Sequence, residues 1–427
     1  APDIMTRAER RWWWLALAIV AAAVGALLAR RSVDFPVYYA TAMAWRRHGG
    51  PIYGHHSGLG WPMYYRYPPL FVVLFAPLTW LPLAWAAGLW AAGKVIVLGL
   101  LVRALARPLR RAQPGSPSPK RPVTRPQRWI AALVPILLAS TYLLVEFRYG
   151  NVQFYIFALA AAAFLRVRRT GAGAAALLAL AAAIKVWPLF FIPYWVARRR
   201  YRAAALAVLF TAVLTLAPAL VWGWRGNLRL LAQWEHQERG TALQAGSIWY
   251  PSQSLRGVLT RYLTRVPPAA TGGHYPAVNV AAWPEAVVSR LWLVLDLLGY
   301  ALLLIFAWRA RAPSWAVDGV AFCALALLIP FAHIEDLVVV LWPAMVAGWY
   351  LARRHRKDNG AASLLWAAVI WAAVIPLVPG HAAQRWLQVA GADFLVVALL
   401  AAGLIVVCQA AKSTGAGPSA AASRARH

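Results

Sequence analysis

The chain has 427 residues, 62% of them hydrophobic and 13% charged, with a formal net charge of +30. Soluble domains run nearer half apolar with about a quarter of residues charged, so a single soluble domain is excluded. The cations sit in short runs between apolar segments, which is the positive-loop pattern of a polytopic helical membrane protein. That placement argues against nucleic acid as a partner and for anionic membrane lipids.

The chain begins at Ala1, with Met5 close behind, and the first apolar run, 12–29, follows Arg10 and Arg11. It resembles a signal-peptide core, but many further spans follow, so it is expected to be an uncleaved first helix. With its basic flank in the cytoplasm, the loop 30–68 lies outside, and segment 37–48 suits a helix along the interface. Residues 69–80 and 83–102 are two apolar pieces split by Leu81-Pro82. The stretch 103–128 carries no acid and many cations, so it belongs inside and only one of the two pieces crosses. The shorter piece is therefore expected at the outer face, and the Pro/Ser-rich part of 103–128 as a flexible cytoplasmic linker.

Further spans are expected at about 129–147, 152–166, 171–187, 188–198, 202–222, 286–308, 314–331, 336–352, 361–379 and 391–410. That makes about twelve spans with both termini inside, a large outer loop at 223–285, and one integral-membrane unit over 1–410. The tail 411–427 reads as a disordered basic cytoplasmic segment. The two cysteines, Cys323 and Cys408, fall in separate apolar segments and suggest neither a metal site nor a disulfide. His55-His56 has no second ligand set at metal spacing, so no metal or cofactor is expected. No repeat relates the two halves, which weighs against many transporter folds.

The chemistry-bearing residues gather at the outer side. Asp34 opens the first outer loop, either as a helix-end acid paired with Arg30 or Arg31 or as a general base in a partly dehydrated cleft. Arg66, in YYRYPPLF, is either an interfacial anchor or an anion clamp. Lys185, near the outer end of an apolar helix, is costly there unless paired or hydrated. Tyrosines including Tyr38 and Tyr67 line the loop, and Asn151 and Gln153 form an amide pair at the outer face. Gln253 and Arg256 occur in SIWYPSQSLRGVLTRYL, while His333, Glu335 and Asp336 share a turn between two helices. Asp296, Asp318 and Asp393 lie within helices as structural or interhelical hydrogen-bonding groups. Outward acids and amides, with cations and aromatics at the membrane edge, suit a substrate with an apolar tail, a phosphate and a sugar.

Several runs resemble glycosyltransferase family 87. They are DFPVYY from Asp34, GGPIY (49–53), YRYPPLF (65–71), APLTWLP (76–82), GNVQ (150–153), AAAIKVWPLFF (181–191), RRRYR (198–202) and SQSLRGVLTR (252–261). The resemblance spans most of 30–340. It implies an all-α GT-C type bundle in the cytoplasmic membrane that moves a mannosyl or arabinosyl residue with inversion. The donor would be a polyprenyl-phosphate sugar and the acceptor an extracytoplasmic glycolipid or glycan. Asp34 falls on the family's catalytic acid. Arg66, Lys185 and Arg256 would hold the donor phosphate, and Tyr38, Tyr67, Asn151, Gln153, Gln253, His333 and Glu335 the sugar or acceptor. The chain departs from the family at PFAHIE (330–335), where Glu335 stands in the usual histidine's place and His333 lies two residues earlier, and in the amide order of GNVQ. A transporter or flippase for a lipid-linked glycan, or another polyprenyl-phosphate-dependent envelope transferase, shares many of these features and stays open at this level.

Overall fold

The structure, a computed structural model, describes residues 7–56, 58–59, 63–111, 124–242, 250–265, 275–310, 312–353 and 359–413. Within them the chain is all-helical, apart from an isolated bridge between His56 and Tyr64. The middle of the expected linker and the tail from residue 414 lie outside the described residues.

The apolar runs form helices wherever Pro and Gly do not interrupt them. Helix α1 (Arg7–Leu27) lies along α4 (Leu83–Arg111). A Cβ on Gly25 would sit 2.8 Å from the Ala87 carbonyl oxygen, and one on Gly88 would sit 2.8 Å from that of Ala22. Small residues thus let the two backbones touch, as they do between helices in lipid. Between them come α2 (Phe35–His48), then α3 (Pro69–Phe75) with a 3₁₀ turn at Ala76–Trp80. The break at Leu81-Pro82 falls where the sequence places it. Tyr39 and Arg46 of α2 hydrogen-bond to Leu81 and Thr79, which ties α2 across that turn.

The core is built by α5 (Arg125–Tyr149), α6 (Gln153–Arg166) and α7 (Gly171–Ile184). The 3₁₀ turn Trp187–Phe190 then leads into α8 (Phe191–Ala197). The chain continues through α9 (Tyr201–Leu216), α10 (Ala219–Ala242), α11 (Leu255–Leu263), α12 (Glu285–Arg309) and α13 (Ser314–Leu328). A 3₁₀ segment Ile334–Val340 leads into α14 (Leu341–Arg353), followed by α15 (Asn359–Val374), α16 (His381–Ala390) and α17 (Ala392–Ser413). Alanines of α6 and α7, including Ala160, Ala161, Ala174 and Ala175, are fully buried between these helices. By contrast α12 exposes Leu293, Val294, Leu297 and Leu298, a surface suited to hydrocarbon and not to water.

Six of these helical stretches are long and apolar enough to cross a membrane, and a bent pair makes a seventh. That pair corrects one expectation. A straight helix over 202–222 followed by an open loop is replaced by α9 and α10 meeting at 92°. Pro218 lacks the N–H a continuing helix needs, and Gly223 adopts φ +68° inside α10. Much of 223–285 is accordingly helical. Helix α16, a connector in the sequence reading, is a second addition.

Candidate active site

Asp34 sits at the N-terminus of α2, with Pro36 in the first turn pre-setting helical φ. An aspartate there ordinarily caps its own helix. Asp34 instead has αR backbone angles and makes no capping bond. Its carboxylate Oδ2 accepts from Asn151 Nδ2 at 3.1 Å, and among the described residues no salt bridge joins it to Arg30 or Arg31. The helix-end reading of this acid therefore has no partner behind it.

The backbone around Asp34 is fixed by the end of α5. Its N–H donates to the Tyr149 carbonyl at 2.9 Å, and Gly150 closes α5 in the left-handed region with φ +69°. A Cβ on Gly150 would meet that of Phe35 at 2.6 Å, so glycine is required there twice over. Asn151 next accepts from the Gln153 N–H through Oδ1 at 2.9 Å, which orients its amide donor toward Asp34. Below this turn Glu146 Oε1 accepts from the Phe154 N–H at 3.0 Å, and Glu146 Oε2 pairs with Lys94 Nζ at 2.7 Å with both side chains buried.

From the other side, Lys185 terminates α7 in extended conformation. Its ammonium donates to Asp336 Oδ1 at 3.0 Å and to Gln153 Oε1 at 3.1 Å, and the side chain remains one-third exposed. Gln153 Oε1 also accepts from Trp187 Nε1. Asp336 Oδ2 takes the His333 N–H at 3.0 Å, and His333 Nδ1 lies 3.3 Å from Glu335 Oε1. The Tyr38 and Tyr67 hydroxyls are 2.7 Å apart, and Tyr67 reaches Asn151 Oδ1 at 3.5 Å. Seven of the expected residues plus Asp34 thus form one connected cluster: Tyr38, Tyr67, Asn151, Gln153, Lys185, His333 and Glu335.

The charges in this cluster act on one another. Burial, then the negative charge of Glu335, pushes the Asp34 carboxyl up to about 7. The Asn151 hydrogen bond and the cations Lys185 and His333 oppose that rise. Burial works against a charged His333, but the bond and charge of Glu335, with Asp336, outweigh it and hold the imidazole above its ordinary value. The phenols of Tyr38 and Tyr67 are pushed well above theirs, chiefly by burial, so both remain hydrogen-bond donors.

Three expected residues are placed otherwise. Arg66 forms a two-pronged pair with Glu238 of α10, at 3.0 and 2.9 Å, which clamps the first outer segment to that helix. Trp234 and Gln237 of α10 bond the Arg66 and Tyr65 carbonyls beside it. Arg256 is buried, with its guanidinium over the rings of Trp292 at 4.8 Å and Phe331 at 5.8 Å. Gln253 donates to the Pro251 and Gln388 carbonyls and accepts from the Phe394 N–H. With both amide protons so engaged, Gln253 staples these segments together. Its N–H also bonds the Ala332 carbonyl at 2.6 Å, so the SQS run holds the turn that carries His333 and Glu335.

Lys94 and Glu238 were not singled out in the sequence. A lone lysine inside the apolar run of α4 was the available signal for the first. Nothing local marks Glu238, whose partner is 172 residues away. Of the acids within helices, Asp318 and Asp393 accept from Tyr194 and Tyr142, in line with the hydrogen-bonding role expected, whereas Asp296 Oδ1 is buried without a partner.

Residues 65–335 match the model of glycosyltransferase family 87, a stretch that begins after Asp34. Two curated relatives are each named polyprenol-phosphate-mannose-dependent alpha-(1-2)-phosphatidylinositol mannoside mannosyltransferase. The one from Mycobacterium tuberculosis is 27% identical over 96% of this chain and 95% of its own length. The one from Mycolicibacterium smegmatis is 26% identical over 85% of this chain and 81% of its own. Among solved structures, ArnT from Cupriavidus metallidurans bound to undecaprenyl phosphate aligns with a TM-score of 0.47 and 14% identity, over 94% of this chain and 77% of that one. With the matched stretch spanning more than half of its length, the chain belongs to glycosyltransferase family 87 and is a glycosyltransferase.

Proposed function

We propose that this protein transfers a mannosyl residue from a polyprenyl-phosphate mannose to a hydroxyl of a membrane glycolipid, a phosphatidylinositol mannoside in its relatives, with Asp34 as general base. The observation that carries this is the Asp34 carboxylate: half-buried, uncommitted to its own helix, held by Asn151 and tuned to about 7. A base poised near neutral pH combines a sizeable ionised fraction with real affinity for the proton.

In this reading the acceptor hydroxyl attacks the sugar's anomeric carbon. Its proton passes to Asp34 as the bond from that carbon to the phosphate oxygen breaks on the opposite face. Lys185 uses two of its three N–H donors on Asp336 and Gln153, leaving one for the departing phosphate, where fixed cations contribute most. Arg66, engaged by Glu238, and Arg256, stacked on Trp292 and Phe331, support the surrounding segments and have no assigned phosphate contact. Tyr38, Tyr67, His333 and Glu335 supply donors and acceptors for the sugar and acceptor hydroxyls.

The same proposal includes the topology. Of the twelve segments expected to cross, six fall in helices long and apolar enough for a span and 202–222 falls in the bent α9–α10 pair; the shorter helical ones would be tolerated where they line a protein cavity. The N-terminus then lies in the cytoplasm, and the Asp34 cluster faces the extracytoplasmic side of the cytoplasmic membrane, with 1–410 as one unit and α2 along the outer interface.

The test is transfer of labelled mannose from polyprenyl-phosphate mannose in membranes carrying the wild type or Asp34→Asn. Loss of about a hundredfold in the variant, with unchanged protein level, supports the reading. Equal transfer by both removes Asp34 from the chemistry, and no transfer by the wild type removes the donor assignment.

A further inference from the structure

At the end of the bundle away from Asp34, a cavity of about 740 Å³ opens between the C-termini of α8 and α12. Its lining includes Arg198, Arg199, Trp308 and Arg309. Its volume lies in the range of ordinary small-ligand sites. The chain reaches it from Lys185 through Trp187–Phe190 and α8, and the charge of Arg168, just before α7, reaches Arg200 just after α8, which brings the end of α8 back to the start of α7. The RRR run at 198–200 and Arg309, far apart in sequence, therefore converge here. On the proposed topology both lie at the cytoplasmic face.

Three features make this more than a cluster of loop cations. Arg198 Nη1 donates to the Ala307 and Ala310 carbonyls at 2.8 and 3.2 Å, fixing its guanidinium at the end of α12, while its Nε is buried with no partner. Arg200 likewise buries Nη1 without a partner. Asp318, whose charge reaches both arginines, is itself engaged by Tyr194, and among the described residues no salt bridge neutralises Arg198, Arg199 or Arg309.

The third feature is Arg199, the one non-glycine residue with positive φ (59°) among the described residues. Its N–H bonds Val196 O, and that of Arg200 bonds Trp195 O. This is the double turn that ends a helix with glycine at the left-handed position. Here an exposed arginine stands in glycine's place. Strain of this kind persists only where the surrounding structure holds it, and it concentrates at functional sites.

We infer that this cavity binds the phosphodiester headgroup of an anionic phospholipid from the cytoplasmic leaflet, with Arg199 and Arg309 contacting the phosphate and Trp308 (55% exposed) at headgroup level beside the acyl chains. Basic pockets between membrane helices recognise such headgroups, and an exposed Trp favours that depth.

The experiment compares the full-length wild type with Arg199→Gly, Arg309→Gln and the double variant. Each is purified into mixed micelles and examined by native mass spectrometry for retained phosphatidylglycerol or phosphatidylcholine of matched chains. Arg199→Gly removes charge while relieving the strained φ, so it should unfold at no lower temperature than the wild type. Retention of phosphatidylglycerol over phosphatidylcholine by the wild type, weakened about fivefold per cation removed, supports the site. Equal retention by wild type and double variant overturns it, as does equal retention of the two lipids. Displacement of the lipid by millimolar inorganic phosphate overturns the lipid assignment in favour of free phosphate.

Discussion

Asn151 Nδ2 donates to Asp34 Oδ2 across 3.1 Å while its own carbonyl oxygen accepts from the Gln153 N–H. The second bond decides which end of the amide faces the carboxylate. Burial, then the charge of Glu335, outweighs the Asn151 hydrogen bond and the cations Lys185 and His333, which is why the Asp34 carboxyl lies near 7. Between about pH 4, where an unfolded aspartate titrates, and pH 7, the folded state holds a proton that the unfolded chain has lost. Stability from this group is therefore full below pH 4, falls as pH rises to 7 and stays at its lowest above that. Asp34→Asn should raise stability at pH 8 by on the order of 1–2 kcal/mol, allowing for partial exposure, and change little at pH 4. Thermal unfolding at the two pH values checks this; a lower Tm for the variant at pH 8 contradicts it.

A second prediction concerns the charge of Glu335. It raises Asp34, and Lys185 and His333 lower it. For the free enzyme, kcat/KM should rise with pH along an acid limb near 7. Glu335→Gln removes the repelling charge, so the limb should move to lower pH; Lys185→Met should move it higher. The shift of the limb, and not the height of the plateau, is the readout. Limbs that coincide in all three proteins would mean that these charges do not reach the base.

Most of the helical plan was legible because apolar length and basic punctuation are local signals. The alternating Arg clusters, the Leu81-Pro82 break and the run of α5 through α7 all follow from them. The bend between α9 and α10 was carried by Pro218 and Gly223, but both sit in an otherwise continuous apolar stretch. The site divided along the same line. Asp34, Asn151, Gln153 and Lys185 come together because each stands at a helix end, where a polar residue has somewhere to go. Gln253 and Arg66 were legible as polar residues but not in their partners, since Gln388 and Glu238 lie more than a hundred residues away. Chemical type can be read locally, whereas the choice between ligand contact and structural staple depends on tertiary neighbours.

Gly150→Ala tests how the turn after α5 sets the position of Asp34. The substitution forces a side chain into φ +69° and brings its Cβ to 2.6 Å from that of Phe35. Strain and overpacking together should lower stability by about 2–4 kcal/mol. Because the Asp34 N–H is bonded to the Tyr149 carbonyl one residue earlier, the displaced turn should also lower kcat at temperatures where the variant is folded. Calorimetry paired with transfer rates at low temperature separates the two effects. A folded variant with full kcat would show that Asp34 is held from elsewhere.

The Lys94–Glu146 pair gives the last prediction. Both side chains are buried and 2.7 Å apart, and Glu146 also holds the Phe154 N–H at the start of α6. Removing one partner strands the other's charge away from water, at a cost of about 3–5 kcal/mol. Lys94→Met and Glu146→Gln should each destabilise by that order. In the double variant no charge is stranded, and the amide introduced by Glu146→Gln can still accept the Phe154 N–H through its oxygen. The double variant should therefore lie closer to the wild type than either single one, with a coupling energy of roughly 2 kcal/mol or more. Unfolding measured in one detergent for all four proteins supplies the cycle. If the two single losses simply add, the pair is not acting as a unit.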